Sequence, residues 1–155
     1  MTQPAFQDQI PGNHCFGCGP TNPHGLHLKS HWEGDESVSR FIPSPHHMAG
    51  PTHILNGGII ATVIDCHGVC TAIAAAYRAE GRPLTSDPPI WFATKSLLVT
   101  YLRPTAIGSP LELRARVDST DGKETTVHCS AFSEGKERAK AEVVAVRVPE
   151  SWRGR

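Results

Sequence analysis

Asp65 is the one carboxylate in a long apolar run that opens after Asn56-Gly57-Gly58 and continues through Val69 to Ala76. Burying an ionised carboxylate costs free energy unless it is paired or hydrogen-bonded, so an acid placed there marks either the wet edge of an amphipathic helix or a site. Four of the five cysteines also fall in pairs with chemical meaning. Cys15-x-x-Cys18 has metal-ligand spacing with His14 beside it, while Cys66 and Cys70 are four apart and share a helix face. Four thiolates could hold zinc. Against this, the chain has no second Cys-x-x-Cys, and the segment carrying Cys15 would have to reach one particular helix face. Cysteine is also a common small buried residue, so the expectation is a structural Phe-Gly-Cys-Gly turn and no metal.

The whole chain limits what these residues can be part of. Its 155 residues fit one domain that buries roughly two-thirds of the surface its unfolded form would expose. Fifteen basic and fifteen acidic side chains balance and no basic run stands out, which points away from a nucleic-acid partner. Met1 to Pro11 is polar and lacks the apolar centre of a secretory signal, and the longest apolar stretch is broken by Asp65 and His67. The expectation is a soluble, cytoplasmic protein with no membrane span and with reduced thiols rather than a disulfide framework.

The elements that must position Asp65 follow from periodicity and turn chemistry. Residues 1–25, rich in Pro, Gly, Asn and His, read as an irregular N-terminal arm, with a single domain over 26–150. Two extended segments, His27–Trp32 and Ser37–Ile42, flank the turn residues Glu33-Gly34-Asp35 and read as a hairpin. A loop dense in Pro, Gly and His then leads into the apolar run, which is too long for a strand and predicts a helix. Asn56 is its expected N-cap and Glu80-Gly81 its end, while the two glycines let another backbone or a ligand approach closely. Ile60, Val63 or Ile64, His67, Cys70 or Thr71, Ala74 and Tyr77 make one stripe, suited to a helix pressed onto a sheet. Beyond a Pro-rich loop, Arg82 to Pro89, four strands are expected at Thr94–Leu102, Leu111–Ser119, Thr125–Phe132 and Lys140–Val148, with spacings that suit an antiparallel meander. Helix and strands are segregated rather than alternating, so the class is α+β.

The segment Asn56-Gly57-Gly58-Ile59-Ile60-Ala61-Thr62-Val63-Ile64-Asp65, followed by Thr94 through Tyr101-Leu102-Arg103-Pro104, resembles the two signature blocks of hotdog-fold thioesterases of the PaaI-like type. Those blocks are His-Gly-Gly with a carboxylate nine residues after the His, then a strand ending in Tyr-Leu-x-Pro. Cys15-Phe16-Gly17-Cys18-Gly19-Pro20 with Asn22-Pro23-His24-Gly25-Leu26 resembles a start seen in many members of the same superfamily. The resemblance covers about residues 15 to 148. It implies a long helix wrapped by a curved antiparallel sheet, dimers whose sheets join, often paired into tetramers, and hydrolysis of acyl-coenzyme A without a cofactor.

By this resemblance the backbone N–H of Gly57 polarises the thioester carbonyl and Gly58 leaves room for the substrate. Asp65 acts as general base toward water or as nucleophile toward the acyl carbon, the two mechanisms known in the family. An N–H in the first turn of a helix has no intrahelical partner and sits in the positive end of the macrodipole, which suits an oxygen gaining negative charge. Asp65 lies about two turns on, roughly 12 Å along the axis. One helix is thus not expected to present both groups to one carbonyl, and the family combines Gly57 of one subunit with Asp65 of its partner. Thr94 aligns with a Ser or Thr hydroxyl near the attacking water in some members, although Thr is also an ordinary strand residue. Lys95, Arg103 and Arg82 could meet coenzyme A phosphates or be solvated surface charges. Tyr77 and Tyr101 could line an acyl pocket, but the core is the expected place of both.

One residue departs from the pattern. Asn56 stands where the family usually has His; it can cap the helix and donate a hydrogen bond but cannot change charge near neutral pH. His53, His46 or His47 could bring an imidazole into the region. Two function classes remain at this level: an acyl-CoA thioesterase, or a non-hydrolytic acyl-CoA-binding or dehydratase-like hotdog protein. Asp65 favours the first, because a passive binder has no need of a carboxylate there.

Overall fold

In the computed structural model, which describes residues 3–154, six strands form one antiparallel sheet around a single long helix. The order along the chain is α1 (Phe6–Gln9), β1 (Ser30–Glu33), β2 (Glu36–Phe41), a 3-10 turn at Pro45–His47, α2 (Gly57–Ala79), β3 (Trp91–Tyr101), β4 (Leu111–Thr120), β5 (Glu124–Ser133) and β6 (Lys136–Val148), closed by a 3-10 turn at Glu150–Arg153. The α+β class and the helix-wrapping sheet expected from the resemblance are both present.

Local chemistry explains the helix. Asn56 takes an extended conformation (φ −61°, ψ 131°), and its side-chain oxygen accepts the N–H groups of Gly58 and Ile59, two of the donors that a helix start leaves without partners. At the other end Glu80 is the C-cap, and Gly81 takes a left-handed φ of 65°. Between them Ile60, Val63, Ile64, His67, Cys70, Thr71, Ala74 and Tyr77 are all buried, and the expected stripe is the core face. It packs with Leu111, Leu113, Val127, Val143 and Ala145 of the sheet, each 0 % exposed. Each of these Leu and Val side chains contributes about 1.5–3 kcal/mol by leaving water. Among the described residues, α2 is the one helix long and apolar enough to cross a membrane, and it is this core helix.

Sheet order corrects the simple meander. The strands lie β1-β2-β4-β5-β6-β3, so β4, β5 and β6 run as a meander while β3 pairs with β6 and β4 with β2. After α2 has crossed the sheet, the chain re-enters at the far edge, and residues 102–110 then carry it back past β6 and β5. Three strand spacings are about 14 Å, within reach of nine residues that can span about 30 Å when extended. β3, eleven residues long, is left as an edge. In the N-terminal hairpin, β1 begins at Ser30 rather than His27, because His27 has a φ of 54°, which a strand residue does not take.

The N-terminal segment is not wholly irregular: it contains the one-turn helix α1, and Phe6, Ile10 and Cys18 join the same buried cluster as α2 and the sheet. A chain of buried hydrogen bonds ties it down. Gln7 donates to Ser30 Oγ (2.8 Å), Ser30 Oγ lies 2.8 Å from His67 Nδ1, His67 Nε2 lies 3.1 Å from Ser37 Oγ and 3.2 Å from its carbonyl, and Ser37 Oγ meets Thr71 Oγ1 at 2.6 Å. Thr71 donates onward to the His67 carbonyl. With Gln7 and Thr71 as fixed donors, every link is satisfied if Ser30 donates to Nδ1 and Nε2 carries the proton, so the neutral imidazole completes the network.

Candidate active site

Asp65 projects from the middle of α2 beside β3, where Thr94 Oγ1 donates to its Oδ1 at 2.7 Å. The pairing is made possible by local irregularity. β3 and β6 slip register between Thr94 and Ser96, so Lys95 is an extra residue that bends the strand just where Thr94 meets the helix. Burial holds the Asp65 carboxyl above its usual range, against the opposing pull of the Thr94 hydroxyl, and the nearby Cys18 sulfur raises it further. The carboxylate opens into a cavity of about 340 Å³ whose wall is mainly apolar, with Ile73, Val69, Trp91, Phe92 and Trp152 among its residues. Asp65 is neither on the helix's wettest edge nor fully buried.

The other half of the predicted site lies at the start of the helix. The Asn56 side-chain oxygen takes Gly58 N–H (2.7 Å) and Ile59 N–H (3.2 Å), and the Asn56 carbonyl takes Ile60 N–H. Gly57 N–H alone in this first turn has no partner among the described residues. Its carbonyl is held by the Tyr101 hydroxyl at 2.6 Å, so Tyr101, half exposed at the end of β3, braces the helix start and is not a core residue as the sequence suggested. Tyr77 is in the core, its oxygen accepting the Ile90 N–H. Gly58 has a reason of its own to be Gly: a Cβ there would stand 2.9 Å from the Asn56 capping oxygen. Asn56 opens into a different hollow, of about 770 Å³, shared with His46, His47, His24 and Met48. His46 and His47 therefore do come near Asn56, with burial and the neighbouring His46 lowering the His47 pKa. His53 does not border that hollow.

Within one chain, then, Asp65 and Thr94 are together on one cavity, while Asn56, Gly57 and Gly58 are together at the helix start, where Asn56 borders another. The cationic candidates belong to neither. Lys95 pairs with Glu124 at 3.0 Å, and Arg103 donates to the Glu137 carbonyl at 2.8 Å. Arg82 is tied to its own loop through Glu80, Ser86 and Pro88, with its guanidinium over the Tyr77 ring. Sequence reasoning missed Trp152 and Ile10 in the Asp65 cavity. A lone Trp in an otherwise polar tail was the available signal for the first, since Trp outside a core usually covers something.

The N-terminal segment does reach the helix face that the cysteine spacing required. Cys15 Sγ lies 3.6 Å from Cys66 Sγ, and Cys18 Sγ lies 3.9 Å from Cys70 Sγ, along one side of the Asp65 cavity. Three neighbouring thiols donating to its sulfur pull Cys18 far below the ordinary thiol value, while Cys15, Cys18 and then burial push Cys66 up, and Cys18 and then burial push Cys70 up.

A curved six-stranded antiparallel sheet around one long helix defines the hotdog class. The family model described as the thioesterase superfamily matches residues 52–140, and this chain belongs to that superfamily. Among solved structures, a thioesterase superfamily protein from Shewanella loihica PV-4 is 33 % identical, over 83 % of this chain and 96 % of that one, with a TM-score of 0.66. The fold is shared at lower identity with the E. coli PaaI protein from the phenylacetic acid degradation operon (13 %, 80 % of this chain and 81 % of that one, TM-score 0.64) and with a Haemophilus influenzae thioesterase (14 %, 79 % of each, TM-score 0.64). No curated protein matches the sequence significantly.

Proposed function

We propose that this protein hydrolyses an acyl-coenzyme A thioester to the free acid and coenzyme A, and that its working unit is a homodimer. The observation that carries the reading is the Asp65 carboxylate, held by Thr94 at the mouth of a largely apolar cavity of a size to take an acyl group. Asp65 either takes the proton of a water attacking the acyl carbon or attacks that carbon itself, giving an anhydride that water opens. In both routes the sulfur of coenzyme A leaves with the bonding electron pair and is protonated. Thr94 is a positioning residue, fixing the carboxylate by its donated hydrogen bond.

The oxyanion needs a donor, and the Gly57 N–H has no partner among the described residues. Asp65 borders one cavity and Asn56, beside Gly57, borders another, which supports a site that joins Gly57 of one subunit to Asp65 of the other. Edge strand β3 supports the same assembly: eleven residues long, it exposes Leu98 and Tyr101 and leaves one side of its ladder open. Joining two β3 edges would bring the Asp65 of one copy toward the helix start of the other. Pairing of such dimers into tetramers is not required by the chemistry. For the coenzyme A phosphates, Lys95 and Arg103 remain the proposed contacts; Arg82 is committed to its loop.

Thiol release from short, long and aromatic acyl-CoAs, measured for wild type and Asp65→Asn, tests the reading. Removing a general base or nucleophile is expected to cost at least about 100-fold in kcat. An unchanged rate in the variant refutes the role of Asp65, and acyl-CoA binding without turnover by the wild type replaces hydrolysis with a binding function.

A further inference from the structure

We propose that Cys15, Cys18, Cys66 and Cys70 bind one zinc ion that clamps the N-terminal segment onto α2 beside the Asp65 cavity. The sulfurs form a single cluster rather than two separate pairs. Cys15, Cys18 and Cys66 place their sulfurs within 4.8 Å of one another; Cys70, 3.9 Å from Cys18, lies outside that group and is the ligand whose side chain must turn to close the tetrahedron. A tetrahedral ion with metal–sulfur bonds of about 2.3 Å sets its ligand sulfurs about 3.8 Å apart. The contacts of 3.6 Å between Cys15 and Cys66 and 3.9 Å between Cys18 and Cys70 bracket that edge length.

The backbone is shaped for the cluster. Gly19 N–H bonds the Cys15 carbonyl at 2.7 Å, folding Cys15-Phe16-Gly17-Cys18-Gly19 into a tight knuckle that turns both sulfurs toward α2. At Gly17 a Cβ would stand 2.2 Å from Cys66 Sγ, so only Gly lets the knuckle come this close to the helix. An independent observation points to a charged sulfur. The buried Asn13 directs its amide nitrogen at Cys18 Sγ, 3.6 Å away, as a donor outside the ligand set does for a metal-bound thiolate. Binding releases the proton of each ligating thiol to solvent, leaving a zinc tetrathiolate of net charge −2. Cysteine 129, buried on β5, takes no part.

The test uses the full chain purified under a non-thiol reductant. Elemental analysis is expected to find about one zinc per chain, as for a structural site. Cobalt titrated into the chelator-stripped protein should give thiolate charge-transfer absorption together with the intense visible bands of tetrahedral cobalt. Cys18→Ser should lower bound zinc at least tenfold, whereas Cys129→Ser should leave it unchanged. Stripping the wild type should lower its thermal midpoint and speed cleavage in the N-terminal segment by a protease. If Cys18→Ser does not fold, the wild-type cobalt spectrum decides. Failure of the reduced wild type to bind zinc or cobalt overturns the proposal. So does an intact mass lower by two hydrogens for each of two bridges, which assigns the cluster to disulfides. Because metal content is read without substrate, this result is independent of whether the protein hydrolyses acyl-CoA.

Discussion

Replacing His67 with Gln tests the buried network that fastens the N-terminal segment, β1 and β2 to α2. The imidazole is 0 % exposed, and burial lowers its pKa from 6.5 to about 4 despite the opposing bond to the Ser37 carbonyl. The native state therefore holds a neutral ring, whereas the unfolded chain binds a proton as pH falls below about 6.5. Its contribution is complete above pH 6.5 and is lost progressively down to pH 4. A shift of this size is worth about 3 kcal/mol at 1.36 kcal/mol per unit, a large part of the 5–15 kcal/mol by which a domain is stable. Protonation also takes away the acceptor of the Ser30 O–H, since Ser30 then accepts from both Gln7 and Nδ1–H. Urea unfolding of wild type and His67→Gln at intervals from pH 7.5 to 4, with zinc and reductant held constant, isolates the effect from the carboxylates both share. The stability difference between the two should shrink by about 3 kcal/mol over that range. A difference that stays constant with pH refutes the argument.

Asn56→Ala should lower stability by about 1 kcal/mol through loss of the cap, read as a lower urea midpoint with unchanged slope; equal midpoints would remove its capping role. Thr94→Val, which keeps the shape and deletes the donor to Asp65, should lower kcat by about tenfold with the activity's lower pH limb displaced upward, because the hydroxyl is what pulls that carboxyl down; an unchanged pH profile argues against the positioning role. Leu98→Glu on the exposed β3 edge should shift the protein to monomer by light scattering and abolish thiol release together. A fully active monomer would exclude a shared site.

What the sequence made legible was what short-range chemistry decides. The N-cap, length and buried stripe of α2 follow from Asn56, the apolar period and Glu80-Gly81, all within one segment. Residues 124 to 148 likewise declared two strands around a turn whose Glu134 and Gly135 both have positive φ. The place of β3 was not legible, because residues 102–110 do not say how many strands they pass. Tyr101 failed for the same reason: its environment depends on which end of α2 the edge strand meets. For the cysteines, spacing made the pairs visible, yet only the tertiary path of the N-terminal segment could bring Cys15 to Cys66. In the Gln7, Ser30, His67, Ser37 and Thr71 chain only His67 stood out, as an interruption of the apolar run; its partners are scattered and none is unusual where it stands.

The open edge of β3 also bears on how the chain survives its own synthesis. A freshly folded copy presents eleven residues of backbone with one side of the ladder unpaired, and the apolar Leu98 stands out beside it. Such an edge will accept any extended strand that meets it, whether the right one or another unfolded chain. An early partner of the same sequence would hide that surface before an improper one found it. Selection for a chain that does not aggregate and selection for one that is active then act on the same eleven residues.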